Sequence, residues 1–195
     1  MIKAIIFDWG GVLSDDNKID DFCKENKYGI NPEKLNHAMN EFWKDVRVDE
    51  LDSSYYWERI SQSLNIDKNA FRKDLLEFCK LKEDIYDLVK KLKNEYKLAM
   101  LSNHIRDWLE EKIKDHGLKD VFDVIVTSYD SKLAKPDPEI YKFTCKKLGL
   151  KLEECVFIDD MKSNILPAKE LGMKTILFQN FGQLKQDLSK LGINV

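Results

Sequence analysis

The hydrophobic pattern of the chain shows five short β-type runs, at residues 2–7, 97–101, 121–126, 155–158 and 175–178. Each is dominated by consecutive apolar residues rather than by alternation, as in strands buried on both faces. Helical spacing separates the later runs. Trp108 and Ile113 follow the second run. Ile140, Phe143, Lys147 and Leu148 lie between the third and fourth, and Ile165, Ala168, Lys169 and Leu171 between the fourth and fifth. Strands alternating with helices predict an α/β fold, a doubly wound parallel sheet with right-handed connections.

Between the first and second runs the pattern changes. Residues 15–82 hold no strand signal and read as several amphipathic helices. One covers residues 19–28. A second starts at Asn31-Pro32-Glu33, where Asn caps and Pro suits the first helical position. A third carries Tyr56, Trp57, Ile60 and Leu64. A fourth begins near Asp67 and carries Phe71, Leu75, Leu76, Phe78 and Cys79. Ile85, Leu88, Val89 and Leu92 then form a stripe leading back to the sheet. The expected organisation is an α/β core of residues 1–14 and 83–195, with a small all-helical insertion at 15–82. Such a length is too great for an ordinary loop. Aromatic residues concentrate in the insertion and are expected mainly to fill its core.

Composition narrows the function. The 195 residues suit one domain and a modest extra piece. Lys and Arg number 32 against 35 Asp and Glu, a net charge of −3, which argues against nucleic-acid binding. The longest apolar run is four residues, as at Ala4 to Phe7, so no membrane span is expected. The opening Met-Ile-Lys-Ala lacks the apolar region of a signal peptide. Cys23, Cys79, Cys145 and Cys155 form no Cys-x-x-Cys pair and are expected as reduced, packed thiols in a cytoplasmic protein.

Ligands of doubly wound sheets bind beyond the carboxyl ends of the strands. Asp8-Trp9-Gly10-Gly11-Val12 follows the first run, Ser102-Asn103-His104 the second, and Asp159-Asp160 with Asn164 the fourth. The loop after the third holds Lys132 and Lys135-Pro136-Asp137-Pro138. An acidic cluster suits a hard cation such as Mg²⁺. A lysine and a hydroxyl suit an anion.

These residues resemble the four motifs of the haloacid dehalogenase superfamily, in order. Phe7-Asp8-Trp9-Gly10-Gly11-Val12 resembles motif one, Ser102 motif two, Lys135-Pro136-Asp137-Pro138 motif three, and Asp159-Asp160 with Asn164 motif four. Within the superfamily, these forms look like the small sugar-phosphate phosphatases and the N-terminal phosphatase domain of mammalian epoxide hydrolase. The resemblance implies a Rossmann-like core with a helical cap over the site. It also implies an Mg²⁺-dependent phosphatase acting on a small phosphorylated metabolite, as a monomer or dimer. Asp8 is then the nucleophile that forms an aspartyl phosphate. Asp8, Asp160 and the carbonyl of Gly10 hold the metal. Lys135 neutralises phosphate and tethers Asp8, and Ser102 donates to a phosphate oxygen. Backbone amides around Trp9 and Gly10 add donors. Asp159 takes a secondary role at the metal, and Asn164 orients a metal-bound water. Asn103 and Arg106 are candidates to reach the substrate. Trp9 either shapes the leaving-group side or packs in the core.

One position departs from the pattern. Gly10 stands where the superfamily places a second aspartate, the group that protonates the leaving oxygen and later activates water. Loss of general acid–base catalysis typically costs about 10²–10⁴ in rate. His104, Asp15 and Asp16 are nearby substitutes in sequence, and the ordinary reading of each, a capping or solvated residue, is the stronger one. A weakly active or non-catalytic phosphate-binding protein is the alternative that Gly10 raises. A metal-free carbon–halogen hydrolase is a third, opposed by the Asp159-Asp160 pair.

Overall fold

A computed structural model describes residues 1–25 and 28–195. Strand β1 is Ala4–Phe7, followed by helices α1 (Ile19–Glu25), α2 (Pro32–Glu41), α3 (Trp43–Val46), α4 (Ser53–Leu64), α5 (Lys68–Phe78) and α6 (Glu83–Leu92). Then come β2 (Lys97–Ser102), α7 (Arg106–Asp115), α8 (Leu118–Val121), β3 (Val124–Thr127), α9 (Ser128–Ser131) and α10 (Pro138–Leu148). The chain ends with β4 (Cys155–Asp159), α11 (Lys162–Glu170), β5 (Lys174–Leu177) and α12 (Phe181–Lys190).

The five strands form one parallel sheet in the order β3-β2-β1-β4-β5. Successive side chains of a strand point to opposite faces, and here both faces are covered. Ile5, Phe7, Leu98, Met100, Val156 and Ile158 enter one apolar core. Ala4, Ile6, Ala99, Leu101, Cys155 and Phe157 enter the other. This explains the unbroken apolar runs. The chain winds outward from β1 in both directions, so the switch point of the sheet lies between β1 and β4. Phe7 is opposite both Met100 and Ile158, which brings the carboxyl ends of β2, β1 and β4 to one edge.

Helices α1–α5 gather a third core that includes Phe22, Leu35, Tyr56, Trp57, Phe71 and Leu75, joined by Ile105 and Trp108. Phe22 meets Phe71 and Phe78 edge-on, with ring centroids 5.8 and 5.4 Å apart. Three of these helices start at side-chain caps: Asn31 before α2, Asp52 before α4 and Asp67 before α5. The chain leaves and rejoins the sheet region at adjacent crossings. Asp15 N–H donates to the Lys80 carbonyl at 3.0 Å, and Lys82 N–H to the Leu13 carbonyl at 2.8 Å.

Three expectations need adjustment. The run at 121–126 is not all strand: residues 118–121 make one helical turn after Gly117, and Val121 and Phe122 are buried from it. The helix expected at 19–28 is seen through Glu25, and residues 26 and 27 lie outside the described residues. Helix α12, not anticipated, is capped by Asn180 and buries Leu184 and Leu188 one turn apart. The four cysteines are buried and free. No helix among the described residues is long and apolar enough to cross a membrane.

Asn31 Oδ1 accepts the Glu33 N–H at 2.8 Å. Asn31→Ala is therefore expected to lower stability by about 1 kcal/mol, read as a lower urea midpoint at unchanged m-value.

Candidate active site

The centre of the site is a buried ion triad. Lys135 Nζ lies 2.7 Å from Asp8 Oδ1 and 2.7 Å from Asp159 Oδ2. The lysine is 2% exposed, Asp159 is fully buried, and Asp8 is 6% exposed. Burial alone would drive the ammonium toward neutrality, but the two carboxylates outweigh it and hold its pKa above the ordinary value. Burial also pushes the Asp8 carboxyl well up; Lys135 opposes this shift and Asp159 adds to it.

Asp8 divides its two oxygens. Oδ1 accepts from Lys135 Nζ and from the Trp9 N–H at 2.7 Å. Oδ2 has no hydrogen-bond donor among the described residues. Asp159 is fully engaged: Oδ1 accepts from the Met161 N–H at 2.7 Å, and Asn164 Nδ2 lies 3.1 Å from both oxygens. Asp159 therefore serves Lys135. Asn164 Nδ2 holds Asp159, and the Asn164 backbone carbonyl accepts from Tyr141 Oη at 2.8 Å.

Asp160 remains half-open beside them. Its carboxyl is raised by burial and by Asp159. Oδ2 accepts from Asn17 Nδ2 at 3.0 Å. Carboxylate oxygens of Asp8, Asp159 and Asp160 lie within 4.8 Å of one another. Gly11 makes this approach possible. Its φ is +76°, and a Cβ there would fall 2.0 Å from Asp160 Oδ2.

The remaining expected residues fall into different places. Ser102, at the end of β2, is buried, and its Oγ has no partner among the described residues. Asn103 lines the cavity, but its amide clamps the Lys135 backbone: Nδ2 donates to the Lys135 carbonyl at 2.8 Å and Oδ1 accepts the Lys135 N–H at 2.9 Å. It positions Lys135. Trp9 is fully buried in the core, and its amide donates to Asp8 Oδ1. Arg106 turns outward to Asp49 and Asp130, at 3.2 and 2.9 Å, and stacks on Tyr129. It does not reach the site either.

A cavity of about 340 Å³ opens over Asp8, Gly10, Lys135 and Asp160. Its walls add Trp43, Arg47 and Trp108, none of which the sequence placed at the site. Arg47 has no carboxylate partner among the described residues, and burial lowers its pKa. Asp16 and His104 also line the cavity and meet there. His104 Nε2 lies 3.0 Å from Asp16 Oδ2, which also accepts from Trp9 Nε1 at 2.6 Å. Ile105 N–H donates to His104 Nδ1 at 2.9 Å, which assigns the proton of the neutral ring to Nε2. Burial pushes Asp16 up, but its bonds from His104, Ser14 and Trp9 outweigh this and leave it below the ordinary carboxylate range.

Removing one member of a buried ion pair strands the other and typically costs about 3–5 kcal/mol. Lys135→Met is expected to destabilise the protein by that amount at neutral pH in EDTA, measured by chemical denaturation.

Comparison with known proteins agrees with this arrangement. A family described as "Hydrolase: haloacid dehalogenase-like hydrolase" matches residues 2–172. D-ribitol-5-phosphate phosphatase of Bacteroides thetaiotaomicron is 27% identical over 216 aligned positions, covering 97% of this chain and 98% of that protein. Bifunctional epoxide hydrolase 2 of Mus musculus is 35% identical over 92 residues, 44% of this chain and 17% of that protein. The chain spans less than half the length of several of the curated relatives it matches. Among solved structures, a HAD-family enzyme of Bacteroides thetaiotaomicron in complex with magnesium and inorganic phosphate superposes with a TM-score of 0.75 at 24% identity, covering 94% of this chain and 99% of that one. On the family match, the shared fold and the ordered motif residues at one sheet edge, the chain belongs to the haloacid dehalogenase-like hydrolases.

Proposed function

We propose that the protein is an Mg²⁺-dependent phosphatase that hydrolyses a small phosphate monoester through an aspartyl phosphate on Asp8. One observation carries the reading. Asp8 has one oxygen fixed by Lys135 and the Trp9 amide, and a second without a donor among the described residues, at the floor of a cavity. That is a carboxylate held for attack, with its lone pairs free on one side.

The donor set suits a divalent cation. Three carboxylates against one ammonium leave two uncompensated negative charges in a buried cluster, and all donors are hard oxygens. Asp8, Asp160 and the Gly10 carbonyl would hold the ion. Bound there, Mg²⁺ would supply the positive charge that lets a carboxylate approach a phosphate dianion. Lys135 adds a fixed cation on the other side of Asp8. The unpartnered Ser102 Oγ supplies a donor for a phosphate oxygen. Positioning and electrostatics then carry most of the phosphoryl transfer.

Residues 15–82 act in this reading as a cap. Trp43 and Arg47 from this segment form a wall of the cavity above Asp8. The D-ribitol-5-phosphate phosphatase relative, matched over nearly its whole length, supports a small phosphorylated metabolite such as a polyol or sugar phosphate. A second reading, phosphate binding without useful turnover, is favoured by Gly10 alone.

A screen of phosphorylated metabolites with Mg²⁺ tests the proposal. Phosphate release is expected from at least one monoester, falling to background with Asp8→Asn and with EDTA, and returning when Mg²⁺ is restored. If Asp8→Asn matches wild type on every ester, the phosphate-binding reading replaces it.

A further inference from the structure

We propose that Arg47 is the specificity-determining residue of the cavity, and that it selects phosphate monoesters whose leaving group carries a second anionic group, a carboxylate or a further phosphate. The proposal rests on the phosphatase reading above and narrows its small phosphorylated metabolite to an acidic one.

Arg47 is a cation without a counterion. Among the described residues, Lys135 and Arg47 are the two Lys or Arg residues that line the cavity. Lys135 is spent on Asp8 and Asp159. The Arg47 guanidinium takes no hydrogen bond among the described residues; its Nε is buried, and its terminal nitrogens keep contact with solvent. Burial alone shifts its charge, downward, and no carboxylate offsets that. A cation beside the floor carboxylates would be raised instead, as Lys135 is. The guanidinium therefore stands apart from Asp8 and Asp160, on the side toward which a leaving group extends from phosphorus. A half-buried charge without a partner is costly, and an anion entering the cavity would offset that cost.

The backbone beneath this side chain is fixed from the sheet side. Ser128 Oγ donates to the Arg47 carbonyl and accepts the His104 N–H at 3.2 Å. Lys132 Nζ lies 3.0 Å from the Val48 carbonyl and 3.1 Å from Asp49 Oδ2. Arg106 Nη2 reaches the same carboxylate oxygen at 3.2 Å. Asp49 itself has a φ of +61°, in the left-handed region that few residues adopt. Three residues beyond β2 and β3 thus spend bonds on residues 47–49, and none on the Arg47 side chain. A guanidinium with a fixed root and a free end is preorganised for a ligand.

The wall indicates which ligand. Trp43 and Trp108 line the cavity with Arg47, so an opposing charge there is weakly screened. Guanidinium donors match two oxygens of a carboxylate or phosphate at once. A neutral hydroxyl would occupy one donor and leave the charge uncompensated. The volume of about 340 Å³ is near the lower end for small-ligand pockets, which favours a short molecule with its two anionic groups close together.

The test uses matched esters with the full chain and Mg²⁺. 3-Phosphoglycerate carries a carboxylate where glycerol 3-phosphate carries a hydroxymethyl group. Fructose 1,6-bisphosphate against fructose 6-phosphate is the corresponding pair for a second phosphate. Wild type is expected to prefer the anionic member of at least one pair by about tenfold or more in kcat/KM, and the pair that shows it identifies the group. Arg47→Met is expected to cut that preference about 10–100-fold, chiefly through KM. Should that variant fold poorly, Arg47→Gln, which removes the charge and keeps a donor, is expected to cut it in the same direction. Arg47→Glu is expected to favour O-phosphoethanolamine over 3-phosphoglycerate. A preference that the variants leave unchanged, equal losses on both members of a pair, or a wild type that hydrolyses only esters with neutral leaving groups overturns selection by Arg47 and leaves the phosphatase reading standing. Turnover of no ester above Asp8→Asn, here and in the metabolite screen, overturns the phosphatase reading and this proposal with it.

Discussion

Everything at the sheet edge depends on one buried ammonium. Lys135 arrives on the loop between α9 and α10, and Asp8 and Asp159 cap β1 and β4. An unpaired lysine in this position would lose its charge, so the ammonium persists only if both strand ends stay where they are. Conversely, the two carboxylates would repel each other without it. The triad ties three separate pieces of chain to one point. Asn103 extends the tie to β2 by gripping the Lys135 backbone with both ends of its amide. Four segments thus share one polar node inside an otherwise apolar layer.

That node explains why adjacent aspartates do unlike work. Asp159 faces inward, and its oxygens are filled by Lys135, Asn164 and the Met161 amide. Asp160, one residue beyond the strand, lines the cavity and takes its side-chain hydrogen bond, among the described residues, from Asn17. The inner carboxylate is a counterion and the outer one a ligand-ready group. Gly11 is the backbone condition for this: any side chain there would displace Asp160. Chemistry at the edge therefore relies on one missing Cβ as much as on the charged groups.

Much of this was legible in the sequence. The sheet showed as unbroken apolar runs because both faces are buried, and the motif residues showed because strand ends are where ligands bind. Asp8, Lys135 and Asp160 line one cavity, and Ser102 ends β2. What stayed hidden depends on tertiary approach. Asp16 and His104 are 88 residues apart, and nothing local in either marks the pairing. Trp43 opens the short helix α3 and Arg47 follows its last residue, and their placement over the cavity follows from how the helical segment packs. The bonds of Asn103 to the Lys135 backbone likewise depend on a residue distant in sequence, and those of Asn164 to Asp159 on how the chain turns from β4 into α11. Arg106 was misread for the same reason: its partners Asp49 and Asp130 come from other elements.

The same packing links the helical segment to the chemistry. His104 follows β2 and stands in contact with Trp43 of α3 and Trp108 of α7, with ring centroids 6.3 and 5.0 Å away. Trp108 in turn packs on Trp57 of α4 at 5.7 Å. The ring that holds Asp16 is thus wedged by aromatic residues of the helical core. A shift of that core relative to the sheet would move the wall of the cavity and loosen the Asp16 anchor together. Asp8 and Lys135, rooted in the sheet, would be left in place. The floor of the cavity and its wall are therefore supported by different cores, and a change in the helical segment can alter the second without the first.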